Sequence, residues 1–188
     1  MKISFFSAFL GLLILMNSSC AGDEAAQNSK EKSLHFFDIA GYFEGEIERL
    51  QAAQPKVSKL LTLNEQTETL ELNDIDFSEE LSIFEKTDIN KVSWIEKYEV
   101  DTIKTAGDTR QVIYTATDDK LKTRKIEISF VQGQLTQIKI LNKVDSPILK
   151  SEQRMLYIPD SGYEIEQVQK VRFLSQKLMK VVVRFVRG

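Results

Sequence analysis

One histidine, His35, and one cysteine, Cys20, bound the chemistry available to this 188-residue chain. Any imidazole-based proton transfer has to use His35, which lies between Leu34 and Phe36 beside a polar stretch. No Gly-x-Ser-x-Gly turn accompanies it, so a Ser-His-Asp hydrolase is not indicated, and His35 reads as a surface or boundary residue. A structural zinc site needs a Cys/His set that this composition lacks. Carboxylates are plentiful. Asp74, Asp76, Glu79 and Glu80 crowd one short stretch, but Asp74-x-Asp76 has neither the glycine nor the distal glutamate of an EF-hand loop. Their simpler role is at a helix N-terminus, where the helix dipole favours acids. Asp118-Asp119 reads as a hairpin turn. A glycosidase-type acid pair is assembled in space rather than along the chain, and no spacing here selects one. Gly107, Gly133 and Gly162 are isolated turn residues, not a phosphate loop. The sequence therefore assigns no catalytic, cofactor-binding or metal residue, and no cofactor.

Binding is the other chemistry on offer. The aromatics Phe36, Phe37, Tyr42, Phe43, Phe77, Phe84, Trp94 and Phe130 are core formers first and pocket lining second. If a ligand pocket exists under the first helix, Phe36, Phe43, Ile47, Phe84, Trp94 and Phe130 are expected to line it. Lys177, Lys180, Arg184 and Arg187 alternate with apolar residues near the C-terminus. They read as a solvated strand face that discourages edge pairing, with lipid headgroups or an acidic partner as the functional alternative. The formal charge is −3, and no basic cluster interleaves with aromatics, so no nucleic-acid partner is expected.

The N-terminus says where the chain goes. Lys2 precedes the apolar run Phe5–Met16, and Asn17-Ser18-Ser19 leads into Cys20. A basic start, an apolar segment and a small-residue zone make a secretory signal; the run is shorter than the roughly 20 residues a membrane span needs. Cys20 after Ser-Ser resembles the lipobox of bacterial lipoproteins, which implies a lipidated, N-terminal cysteine. Asn17 stands where a lipobox usually carries Leu or another aliphatic residue. The competing reading is cleavage near Ser19 or Ala21, leaving one free thiol in an oxidising compartment; lipidation would consume that sulfur as a thioether. Asp23 and Glu24 look like the surface-export signals of Bacteroidetes lipoproteins. The resemblance implies an outer-membrane lipoprotein whose acyl chains anchor it, on either the periplasmic or the surface face.

These features divide the chain into a signal peptide (1–19), a lipidated cysteine with a flexible polar tether (20–33) and a single domain (34–188). Phe36, Ala40, Phe43, Ile47 and Leu50 fall on one helical face, predicting a helix from a Ser33 N-cap to about Ala53, stopped by Pro55. Gly41 and Gly45 point to close packing on a neighbouring face, the alternative being a helix broken near Gly41. Residues 56–64 and 67–73 alternate as a hairpin. Asp76-Phe77-Ser78-Glu79 opens a short helix at about 77–86; 88–94 is irregular or a single turn, with Trp94 inserted in the core. Strands are expected at 98–105, 109–117, 122–131, 134–142, 148–158, 163–174 and 177–186, although the polar stretches of 146–174 leave a helix open there. The fold class is α+β: a curled antiparallel sheet of about nine strands, a half-barrel, packed on the N-terminal helix and a second short helix. A closed lipocalin-like barrel is the alternative.

Lipobox, acidic tether, helix, hairpin, capped helix and terminal strands together resemble small Bacteroidetes outer-membrane lipoproteins, a group in which no motif carries an assigned activity. The architecture alone, with no shared motif, is similar to the Lol lipoprotein carriers and lipocalin-like proteins, and fold analogy does not establish function. Three functions are carried forward. The first is a non-enzymatic interaction module that docks on an envelope protein partner. The second is a carrier or sensor of a hydrophobic ligand held between helix and sheet. The third is a hydrolase working through paired carboxylates.

Overall fold

The structure is a computed structural model and describes residues 34–105 and 107–186. The signal peptide, Cys20, the tether, Ser33 and Arg187 lie outside the described residues, which belong to one compact unit spanning Leu34–Gly188.

Nine strands form one antiparallel sheet, with α1 (Ile39–Ala53) and α2 (Phe77–Glu85) among them. In chain order the strands are β1 (Lys56–Leu63), β2 (Gln66–Leu72), β3 (Tyr98–Thr105), β4 (Thr109–Ala116), β5 (Thr123–Val131), β6 (Gln134–Asp145), β7 (Leu149–Ile158), β8 (Gly162–Val171) and β9 (Lys177–Val186). Across the sheet they run β2-β1-β9-β8-β7-β6-β5-β4-β3. The α+β class and the strand count are those the alternation predicts. The sheet stays open, with β2 and β3 at its edges, so the closed barrel is set aside. Residues 146–174 are strand and turn, because Met155, Tyr157, Tyr163 and Ile165 keep a period of two that a helix would scatter.

The first helix starts later than the spacing predicts. Asp38, not Ser33, caps it, accepting from the Gly41 amide at 3.1 Å. The Phe36 amide donates to Asn90 Oδ1 at 2.9 Å and the Phe37 amide to the Tyr114 hydroxyl at 3.1 Å, so these donors are committed outside any helix. Ile39 rather than Ala40 then joins Phe43, Ile47 and Leu50 on the buried stripe. The expected close packing at the glycines is not what they do. A Cβ on Gly41 would meet the capping Asp38 carboxylate at 2.3 Å, and one on Gly45 would meet nothing within 4 Å.

Both helices cover the same face of the sheet. Directly paired residues point to one side, and the row Lys59–Val183–Tyr163–Tyr157–Ile138–Ile128–Val112 crosses seven strands beneath them. A second row, Val181–Ile165–Met155–Ile140–Ile126–Tyr114, lies beside it. Phe43 stacks on Phe84 at 4.9 Å and meets Tyr157 edge-on at 5.0 Å, while Phe84 meets Tyr163 at 5.7 Å. Each such burial is worth about 1.5–3 kcal/mol relative to exposure, and together they fix α1 and α2 against β7 and β8.

Candidate functional site

Among the described residues no helix covers the opposite face of the sheet. Two rows run across its centre: Val182–Glu164–Leu156–Lys139–Glu127 and Lys180–Glu166–Arg154–Leu141–Lys125. They enclose a groove of about 380 Å³, with Leu141 and Leu156 in its floor and Lys125, Glu127, Arg154 and Glu164 around it. The charges are organised in pairs. Lys125 lies 2.5 Å from Glu127, Lys180 reaches Glu164 at 2.5 Å and Glu166 at 2.7 Å, and Lys143 meets Glu152 at 2.8 Å. Arg154 also pairs with Glu152. Lys139 stands exposed on the rim without an ion pair among the described residues.

Hydrogen bonds favour the ionised forms of Glu152, Glu166 and Lys180 on this face. Lys180 holds the Glu166 carboxyl below its ordinary range, and Lys143 does the same for Glu152. Glu164 and Glu166 in turn raise Lys180. The shifts move these groups away from neutrality, so the face presents stable charges of both signs around an apolar floor. Such a surface suits binding. Among the described residues no group of three or more His, Cys, Asp or Glu side chains is placed to hold a metal ion.

The helix-covered side of the sheet has a second concavity, lined by strand and turn residues alone. In the third row the apolar residues give way to Gln167, Gln153 and Asn142, one step along β8, β7 and β6. Asn142 Nδ2 donates to Gln153 Oε1 at 3.0 Å, Gln153 Nε2 to Gln167 Oε1 at 3.3 Å, and Gln167 Nε2 to Ser151 Oγ at 3.4 Å. This amide chain borders a cleft of about 220 Å³. Asn142 Oδ1 is buried with no hydrogen-bond partner among the described residues.

The six residues expected to line a pocket do not come together around one. Phe36 is wedged edge-on between Tyr98 and Tyr114, at 5.8 and 5.5 Å. Phe43, Ile47 and Phe84 are buried in the packed core, so a ligand between helix and sheet would have to displace stacked rings. Trp94 is only half-buried. It sits on a 3-10 turn at Val92–Lys97, tilted against Tyr98 at 6.4 Å and with the Lys91 ammonium 4.1 Å above it. Phe130 lies near the far end of β5, where Arg110 stacks over its ring at 4.5 Å beside a cleft of about 480 Å³.

Of the carboxylates singled out by the sequence, Asp76, Glu80, Asp118 and Asp119 make structural contacts. Asp76 caps α2 by accepting from the amides of Ser78 and Glu79, at 2.9 and 3.3 Å. Asp118 accepts from the Lys120 amide and the Lys97 ammonium, and Asp119 pairs with Arg124. Asp74 and His35 are exposed. Glu80 takes the Lys59 ammonium at 2.5 Å and the Tyr163 hydroxyl, while Glu46 takes Arg49 at 2.8 Å and the Tyr157 hydroxyl. Burial and these carboxylate contacts push both tyrosines well above their ordinary pKa. Sequence reasoning missed the groove. Its signal was in plain view: Leu141 and Leu156 break the alternation by following Ile140 and Met155, so a large apolar residue falls on the polar side of each strand.

No protein-family model, curated protein or solved structure matches this chain.

Proposed function

We propose that this chain is an envelope lipoprotein, held at the outer membrane by lipid on Cys20, whose domain is a non-enzymatic module that docks on a second envelope protein. The observation that carries this reading is the uncovered sheet face, where the floor of Leu141 and Leu156 is surrounded by fixed charges of both signs. A mixed-charge surface with an apolar centre has the composition of a protein-binding patch, with charge arrangement setting the choice of partner. The partner it fits carries an apolar side chain flanked by an acid and a base. Residues 21–33 supply the tether that lets an anchored domain reach such a partner.

A photo-crosslinking side chain at Lys139, on the groove rim, tests this in the native membrane, with the same probe at the exposed Ser78 of α2 as control. The expected result is a discrete protein adduct from position 139 and none from 78. Adding Arg154→Glu should weaken that adduct at least about fivefold, because it places a like charge where the partner's acid sits. Equal adducts from both positions, or one indifferent to Arg154→Glu, would refute the docking face. Intact mass of the membrane-extracted chain tests the anchor: acyl groups on an N-terminal Cys20 are expected, and an unmodified thiol would remove it.

A further inference from the structure

Three turns meet at one end of the sheet, beyond the amide cleft. The β1–β2 turn is tied to β9, since the Asn64 amide donates to Leu178 O at 2.7 Å and the Leu178 amide to Asn64 Oδ1 at 3.0 Å. The β6–β7 turn is tied to the β8–β9 turn by the Arg172 amide donating to Ile148 O at 2.8 Å. Together they expose large apolar side chains that the core does not use: Phe173 at 90 %, Ile148 at 67 % and Leu174 at 61 %, with Leu63 and Leu178 beside them. Phe173 is held at φ 67°, in the second central position of a turn closed by the Leu174 amide donating to Val171 O at 3.0 Å. That conformation favours Gly or Asn, and a bulky side chain there is an outlier. The chain thus keeps an aromatic where folding alone would select a glycine.

Charge is arranged around this end as well. Its three turns and flanking residues carry four cations, Lys150, Lys170, Arg172 and Lys177, against two acids, Glu65 and Asp145, in a chain whose formal charge is −3. Lys150 and Lys170 are directly opposite each other on β7 and β8, a like-charge pairing that weakens a sheet. Asp145 offsets Lys150 at 3.3 Å, while Lys170, Arg172 and Lys177 have no ion pair among the described residues. The Arg172 guanidinium lies 4.8 Å over the Phe173 ring.

We propose that this end of the sheet is a membrane-docking tip: Phe173, Leu174 and Ile148 enter the interfacial zone of an anionic bilayer, and Lys150, Lys170, Arg172 and Lys177 meet its headgroups. Apolar side chains projecting from turn apexes suit a deformable lipid surface, and the surplus of cations matches anionic headgroups. A protein partner would need its own receiving pockets and balancing acids. The tip is a contact additional to lipid on Cys20 and to the open face, and it orients the domain with β9 and β1 pointing at the membrane.

The test uses the chain from Ala21 onward, which contains the whole compact unit Leu34–Gly188 and, among the described residues, the buried core from Phe36 to Val183. That chain has no cysteine of its own, so the outcome does not depend on the proposed lipid anchor, and a failure here leaves the anchor and the docking face standing. Gln176→Cys carries an environment-sensitive dye. Binding is measured to vesicles of phosphatidylcholine with phosphatidylglycerol and to phosphatidylcholine alone. Each interfacial cation contributes about fivefold to affinity for an anionic surface, so anionic vesicles should bind at least about tenfold tighter, with blue-shifted dye emission on binding. Phe173→Gly and Leu174→Ser should each reduce binding by about tenfold through lost apolar burial. Phe173→Gly is expected to melt no lower than the parent, because glycine takes φ 67° without strain. Equal binding to neutral vesicles, binding unchanged by either substitution, or a dye that stays aqueous on bound protein overturns the proposal. So does a protein captured through the tip without vesicle binding.

Discussion

Glu46 shows how much one side chain on α1 holds together. Its carboxylate accepts from Arg49 and from the Tyr157 hydroxyl, and Arg49 continues to Asp160 at 2.8 Å, joining the helix to the β7–β8 turn. Burial works to raise the Glu46 carboxyl, but the hydrogen bonds from Arg49 and Tyr157 and the Arg49 charge outweigh it and hold the group below its ordinary value. A carboxyl with a folded pKa below its unfolded one stabilises the fold above the unfolded pKa. That stability is lost as pH falls through the folded value. Glu46→Gln keeps an acceptor for Tyr157 and loses the charge, so it should cost about 1.5–3 kcal/mol near neutral pH. The deficit should shrink as the pH is lowered below the ordinary glutamate range; urea melts of both proteins at pH 7 and pH 3 measure it, and a constant difference would contradict the assignment. This contact was not legible in the sequence, since Glu46 and Tyr157 meet only once α1 lies on the sheet.

At the scale of elements, α2 tests what local sequence can specify. Nine residues are too few to be helical alone, and α2 persists because Phe77, Leu81 and Phe84 are buried and Asp76 caps its start. Asp76→Ala should cost about 1 kcal/mol, whereas Asp74→Ala, which removes an exposed carboxylate, should stay within about 0.5 kcal/mol of the parent. Thermal melts with and without calcium decide between capping and the metal reading: equal effects of the two substitutions, or a calcium-dependent gain, would favour the metal. The cap of α2 was readable because Asp, amide donors and apolar stripe are neighbours in the chain. The start of α1 was not. Ser33 and Asp38 are both good capping residues, and the choice was made by Asn90 and Tyr114, distant residues that take the amides of Phe36 and Phe37.

At the scale of the whole molecule, the first hairpin is joined to the rest of the sheet by β9, which lies between β1 and β8. A chain ending at Gln176 loses both sets of pairings and the apolar side chains of Val181, Val183 and Phe185. Val183 is fully buried, worth about 1.5–3 kcal/mol; the half-buried Val181 and Phe185 and the two lost strand ladders add to that, against a total stability of roughly 5–15 kcal/mol for such a domain. The truncated chain should show no cooperative urea transition by circular dichroism; a sharp transition near that of the parent would mean that β3–β8 form an independent unit. The sequence by itself determined that there are two helices, and most of the strands and turns, because period, caps and turn residues act between near neighbours; it left the start of α1 and the choice of strand over helix in 146–174 to the tertiary structure. It left open the order β2-β1-β9-β8, the face that the helices cover and the groove lined by Leu141 and Leu156. Those depend on which distant strands pair, and pairing is decided by fitting one shared core, a condition that no local stretch of residues can express.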